Sequence, residues 1–136
     1  MEEKFEEIKR TARKEYKKEG YAEDDNQLLT EVEEEMKVSV AGAVVNLVKN
    51  TSWEQLDSAI KEVKVAEQIY KKQKEEAEDI YDNVDNMVRP DDRDEALLLH
   101  RKALLKRKKQ VAYSLIITQE ILKILRHARM TTFWPN

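Results

Sequence analysis

Two glycines and two prolines in 136 residues leave this chain few places to turn sharply, and that scarcity constrains its fold more than any motif it carries. Glycine and proline are the strongest local punctuators, so segments that lack them run on in one conformation. The charged residues, 39% of the chain, are mostly Glu, Lys and Arg, which are good helix formers, while two Phe offer little to strands. Apolar residues at 40% suffice for stripes along helices but not for a thick interior. Long, uninterrupted, amphipathic helices are the expectation.

Apolar spacing places them. Residues 2–19 carry Phe5, Ile8, Ala12 and Tyr16 at intervals of three and four, and Gly20 ends the pattern. The polar stretch Ala22 to Gln27 reads as a loop, which predicts a loosely attached acidic first helix (1–24), a bundle over 25–130 and a tail over 131–136. Leu28, Leu29, Val32 and Met36 open a second helix, about 28–49, whose Val38 to Val48 stretch is apolar on most sides. Valine also favours strands, but a strand without a partner leaves its backbone unpaired. Thr51 followed by Glu54, and Ser52 followed by Gln55, both match a capping box, so a long helix starts there. Trp53, Leu56, Ile60, Val63, Ala66, Tyr70, Ala77, Ile80 with Tyr81, and Val84 carry it to about 88, roughly 50 Å at 1.5 Å per residue. Pro90 breaks it, and Asp91, Asp92 and Asp94 suit the start of a further helix over about 92–129.

The short connection folds these two helices back on each other. The fold class expected is all-α: a long antiparallel helical hairpin, about 53–88 and 92–129, packed with one or two shorter N-terminal helices, bundle or coiled-coil-like. Reversal about Pro90 sets position 79 near 100 and 60 near 120, with Glu75, Glu78, Asp79 and Asp82 level with Arg101, Lys102 and Lys106. The apolar face of the last helix is wider than one seam requires, so Leu98, Leu105, Ile117 and Ile124 are expected to face a further partner.

With no cysteine, disulfides, thiolate catalysis and Cys-ligated zinc are excluded. Residues 1–20 are too charged for a signal peptide and no apolar run is long enough to span a bilayer, so an intracellular setting, cytoplasmic or nuclear, is expected. The net charge of -3 conceals an acidic first quarter and a basic last third, fields able to attract each other within one molecule or between copies.

Candidate chemistry is sparse. Glu75, Glu78, Asp79 and Asp82 share a helix face, and Glu31 with Glu34 is a separate pair. The Glu75-x-x-Glu78 pair resembles half of the magnesium-binding pattern of MazG-like all-helical nucleotide pyrophosphatases, but Tyr81 stands where the second half needs an acid. A solvated or salt-bridged face is the simpler reading, and neither cofactor nor metal is expected. His100 and His127 lie too far apart along one helix to share an ion, and no triad or phosphate loop is recognisable. Arg101, Lys102, Lys106, Arg107, Lys108 and Lys109 form a basic cluster without interleaved aromatics, suited to protein partners more than to nucleic acid or anionic membrane. Phe133 and Trp134 either tuck over the hairpin or anchor in a partner.

The expected function is a non-catalytic helical scaffold or adaptor that binds a protein partner or itself through an apolar stripe flanked by acidic and basic fields. One alternative is an acidic inhibitor using Glu31, Glu33, Glu34 and Glu35 to occupy a cationic or nucleic-acid-binding surface. A further alternative is a metal-dependent nucleotide phosphohydrolase.

Overall fold

A computed structural model describes residues 2–21, 25–39, 52–87 and 95–133. They form helices α1 (Glu2–Lys18), α2 (Asn26–Val38), α3 (Trp53–Met87) and α4 (Glu95–Phe133), with no strand among them. The all-α bundle anticipated from the scarcity of turn residues is the observed architecture.

Local chemistry sets the ends of these helices. Helix α1 stops where Gly20 adopts φ +92°, a conformation that side-chain-bearing residues rarely enter. Helix α2 follows Asp25, whose carboxylate does not cap it. Its C-terminus is Val38, because Ser39 turns extended while both its backbone N–H and its hydroxyl donate to the Met36 carbonyl, at 3.3 and 2.6 Å. The helix expected over 28–49 therefore ends early, and the remainder of that valine-rich segment, 40–49, lies outside the described residues. At the start of α3 the Ser52 capping box forms: the Gln55 N–H donates to Ser52 Oγ at 3.3 Å and the Ser52 N–H donates to Gln55 Oε1 at 3.0 Å.

Helix α4 is the organising element. Helix α3 packs antiparallel along it, with Tyr81 beside Lys108 and Asp57 beside Arg129. Helix α2 runs parallel to α4, since Asp25 meets Lys109 and Glu33 meets Tyr113, while α1 runs antiparallel to α2, bringing Tyr16 to Asp25 and Arg13 to Thr30 and Glu33. The hairpin register differs from a simple reversal about Pro90, which would set Tyr81 near position 99. Both contacts between α3 and α4 set the reversal C-terminal to Pro90, and the long side chains of Lys108 and Arg129 reach along the axis; the expected helix start at 92 lies outside the described residues.

A single core joins all four helices. It contains Phe5, Ile8, Ala12 and Tyr16 of α1, Leu29, Val32 and Met36 of α2, Leu56, Ala59, Ile60 and Val63 of α3, and α4 from Tyr113 to Ala128. Residue 24 is thus no boundary of the core: the α1 stripe is buried with the rest, each large side chain contributing roughly 1.5–3 kcal/mol. Beyond this core the hairpin continues as a two-helix arm. Between 97 and 110 of α4, and between 79 and 84 of α3 beside it, no described side chain is buried. Ile80, anticipated in the core, is 50% exposed, because it lies on the solvent-facing side of α3 that also carries Val65 and Ile69.

Candidate interaction site

Where α1, α2 and α4 meet, a polar cluster replaces the apolar interior. Glu33 is 2% exposed, on the inner face of α2 with Leu29, Val32 and Met36. A buried carboxylate is costly unless its charge and lone pairs are met. Here the Arg13 Nε and Nη2 donate to its two oxygens at 2.8 Å each, and the Tyr113 hydroxyl donates to Oε2 at 2.6 Å. Arg13 also donates to Asn26 Oδ1 and Thr30 Oγ1, at 2.6 and 3.3 Å. One turn away, the Tyr16 hydroxyl donates to Asp25 Oδ2 at 2.8 Å and the Lys109 ammonium lies 3.1 Å from the same carboxylate. The rings of Tyr21, Tyr16 and Tyr113 pack in sequence, stacked at 4.5 Å and edge-on at 5.3 Å.

This environment shifts titration. Burial, then the hydrogen bonds to Asp25 and Glu33, push the Tyr16 and Tyr113 hydroxyls well above the ordinary tyrosine range, and burial pushes Tyr21 up to about 12. The hydrogen bonds it donates to Glu33 raise Arg13, against the opposing effect of burial. Every group in the cluster has its partner and the central ones are closed to solvent, so the cluster locks α1 and α2 onto α4 rather than offering a reactive group. It also removes Glu33 from the acidic surface field, which leaves Glu31, Glu34 and Glu35 exposed on α2.

The arm has the opposite character. Ile80 on α3 is 50% exposed there, and Leu98 and Leu99 on α4 are 40% and 66% exposed; Val65 and Ile69, 60% and 50% exposed, lie farther back along α3, level with the buried section of α4. At 100° per residue Val65, Ile69 and Ile80 fall on one face of α3. The sequence pattern had assigned the outward stripe to Leu98, Leu105, Ile117 and Ile124. Leu98 is exposed and Leu105 half-buried, but Ile117 is fully buried and Ile124 packs against the core, because α1 and α2 cover α4 there. Val65 and Ile69 escaped notice because their spacing of four also fits the seam.

The basic cluster divides along the helix. Lys108 lies over the Tyr81 ring at 4.9 Å, Lys109 is held by Asp25, and Arg101 is half-buried. Lys102, Lys106 and Arg107 are exposed and pair with no carboxylate among the described residues. Tyr81 of α3 thus meets this stretch under Lys108, while Lys102 and Lys106, expected level with the acidic face of α3, line the α2 side. Lys102, Lys106 and Lys109 form one wall of a groove of about 360 Å³, with Gln27, Leu28 and Glu31 of α2 opposite. The α4 backbone extends to Phe133, so the anticipated tail begins later than 131; the Phe133 side chain and Trp134 lie outside the described set.

Among the described residues no three His, Asp or Glu side chains converge to hold a metal ion, and no helix is long and apolar enough to cross a membrane. Glu75 and Asp79 of α3 are exposed, as are His100 and His127 of α4. Comparison with known proteins returns no matching family model, no similar curated protein and no similar solved structure.

Proposed function

We propose that this chain is a non-catalytic helical interaction protein, a scaffold or adaptor whose two-helix arm presents apolar side chains to another protein. The observation that carries this reading is the contrast between the two ends of the hairpin. At one end the described residues of four helices bury a shared core; toward the other, Ile80 of α3 and Leu98 and Leu99 of α4 stand 40–66% exposed on stretches that hold no buried side chain among the described residues. Apolar side chains concentrated on one part of a surface mark an interaction site, whereas singly scattered ones need no explanation. Neighbouring Lys102, Lys106 and Arg107 add a charged rim that would orient a partner more than hold it.

The test is photo-cross-linking with a photoreactive residue placed at 80, 98 or 99, against controls at the exposed positions 10 and 14 of α1. Cross-links to a discrete protein from the arm positions and none from the controls are expected. Equal labelling from both sets refutes the proposal.

A further inference from the structure

We infer that the groove between α2 and the basic stretch of α4 is a self-complementary surface that seats a second copy of this chain. The inference rests on the interaction-protein reading and names a partner for it. The groove has two walls of opposite sign. On α2 stands Glu31, exposed and without an ion pair among the described residues; on α4 stand Lys102 and Lys106, in the same condition. The two walls do not pair across the groove, although both line it. At its inner end Asp25 and Lys109 are already satisfied by each other, 3.1 Å apart, and Leu28 and Leu105 are half-buried between the walls.

This arrangement discriminates between occupants. A polyanion such as nucleic acid or an acidic lipid surface would match the lysines but meet Glu31, with Glu34 and Glu35 exposed on the same helix. A cationic segment would match Glu31 and meet the lysines. Only a surface with both signs side by side compensates both walls, and a second copy related by a two-fold axis presents that pattern: Glu31 of each copy faces Lys102 and Lys106 of the other, around the apolar pair. Such an interface is isologous, the same patch on both sides. The groove also opens where α1 and α2 stop covering α4. The helix that presents Lys109 to Asp25 and Tyr113 to Glu33 continues past α2 with Lys102 and Leu105 on the same side, so the dimer would extend a covering already begun within the monomer.

A charge-swap experiment tests this. Sedimentation of the full chain over a concentration series should show a monomer–dimer equilibrium that weakens as salt rises. Lys102→Glu with Lys106→Glu, and separately Glu31→Lys, should each weaken self-association by about tenfold or more, through like charges brought face to face. Mixing the two variants should restore association as a heterodimer, because each then supplies the sign the other lacks. Restoration also shows that both variants are folded. A wild type monomeric at every concentration, a dimer indifferent to both variants, or a mixture that stays monomeric overturns the inference. A monomeric wild type whose arm still cross-links to another protein refutes the groove dimer and leaves the arm reading standing. Charge-swap rescue with no cross-link from the arm does the reverse.

Discussion

Glu33 sits in a run of four glutamates within five residues, and three of them face water. The fourth is buried, and its neighbours explain how the fold tolerates it: two donors from Arg13 and one from Tyr113 occupy its oxygens. Removing one partner from such a set costs far more than the set contributes, because it strands the others. Glu33→Ala should therefore lower stability in urea unfolding by about 2–4 kcal/mol, discounted from a fully buried pair because Arg13 remains a third exposed. The triple change Arg13→Met, Glu33→Leu, Tyr113→Phe should cost less than that single one. A triple variant as unstable as the summed singles would show the cluster to be a net source of stability. The spacing carried the signal for Glu33, four after Leu29 and three before Met36, but composition hid it, since a carboxylate is expected outside. Titration of the tyrosines belongs to the same cluster. Below pH about 10 both folded and unfolded chains keep these phenolic protons, so they add no pH dependence. As pH rises further the unfolded chain ionises first, while burial holds the protons on Tyr16, Tyr21 and Tyr113, so stability falls, with the Tyr21 share lost by about 12. Unfolding midpoints measured from neutral to alkaline pH, with Tyr113→Phe as comparison, should show a shallower alkaline fall in the variant.

At the scale of elements, the helix ends divide into those that sequence chemistry announces and those it conceals. Ser52 and Gln55 announce the start of α3, and both reciprocal bonds of the box are made; Ser52→Ala should destabilise by about 1 kcal/mol in thermal unfolding. Gly20 announces the end of α1. A Cβ there would meet nothing within 4 Å, so the cost of Gly20→Ala is conformational alone, about 1 kcal/mol, read from the same melts. The end of α2 is concealed, because the side chains after Met36 continue to look helical while Ser39 turns its N–H and hydroxyl onto one carbonyl. Hairpin register is concealed too. The acidic and basic runs are long enough to match in several registers, and the observed one is tied to Tyr81 beneath Lys108 and to Arg129, which lies 4.1 Å over Trp53 and beside Asp57. Seam periodicity alone says that two helices pair; it does not say how far along each other they slide.

For the whole molecule the consequential feature is that the hairpin is longer than its support. Helices α1 and α2 cover α4 up to the level of Lys109, and beyond it, among the described residues, α3 and α4 have only each other. Sequence periodicity could not show this, because apolar residues recur along α4 from Leu97 to Leu125, on both sides of the polar run 106–110, while its cover does not extend as far. Local stability follows burial, so the two ends should open separately. In native-state hydrogen exchange, amides of 112–125 should exchange only through global unfolding, whereas those of 79–84 and 98–106 should open at lower free energy. Side-chain substitution should divide in the same way. Ile117→Ala, in the fully buried section, should cost about 2–5 kcal/mol, while Leu99→Glu should stay within about 0.5 kcal/mol of the parent. If Leu99→Glu proves as damaging as Ile117→Ala in the isolated chain, the arm is stabilised by its own apolar surface and that surface is not reserved for a partner. If it is neutral to folding but abolishes cross-linking from position 80, the exposed aliphatic side chains of the arm are there for association, since folding does not require them.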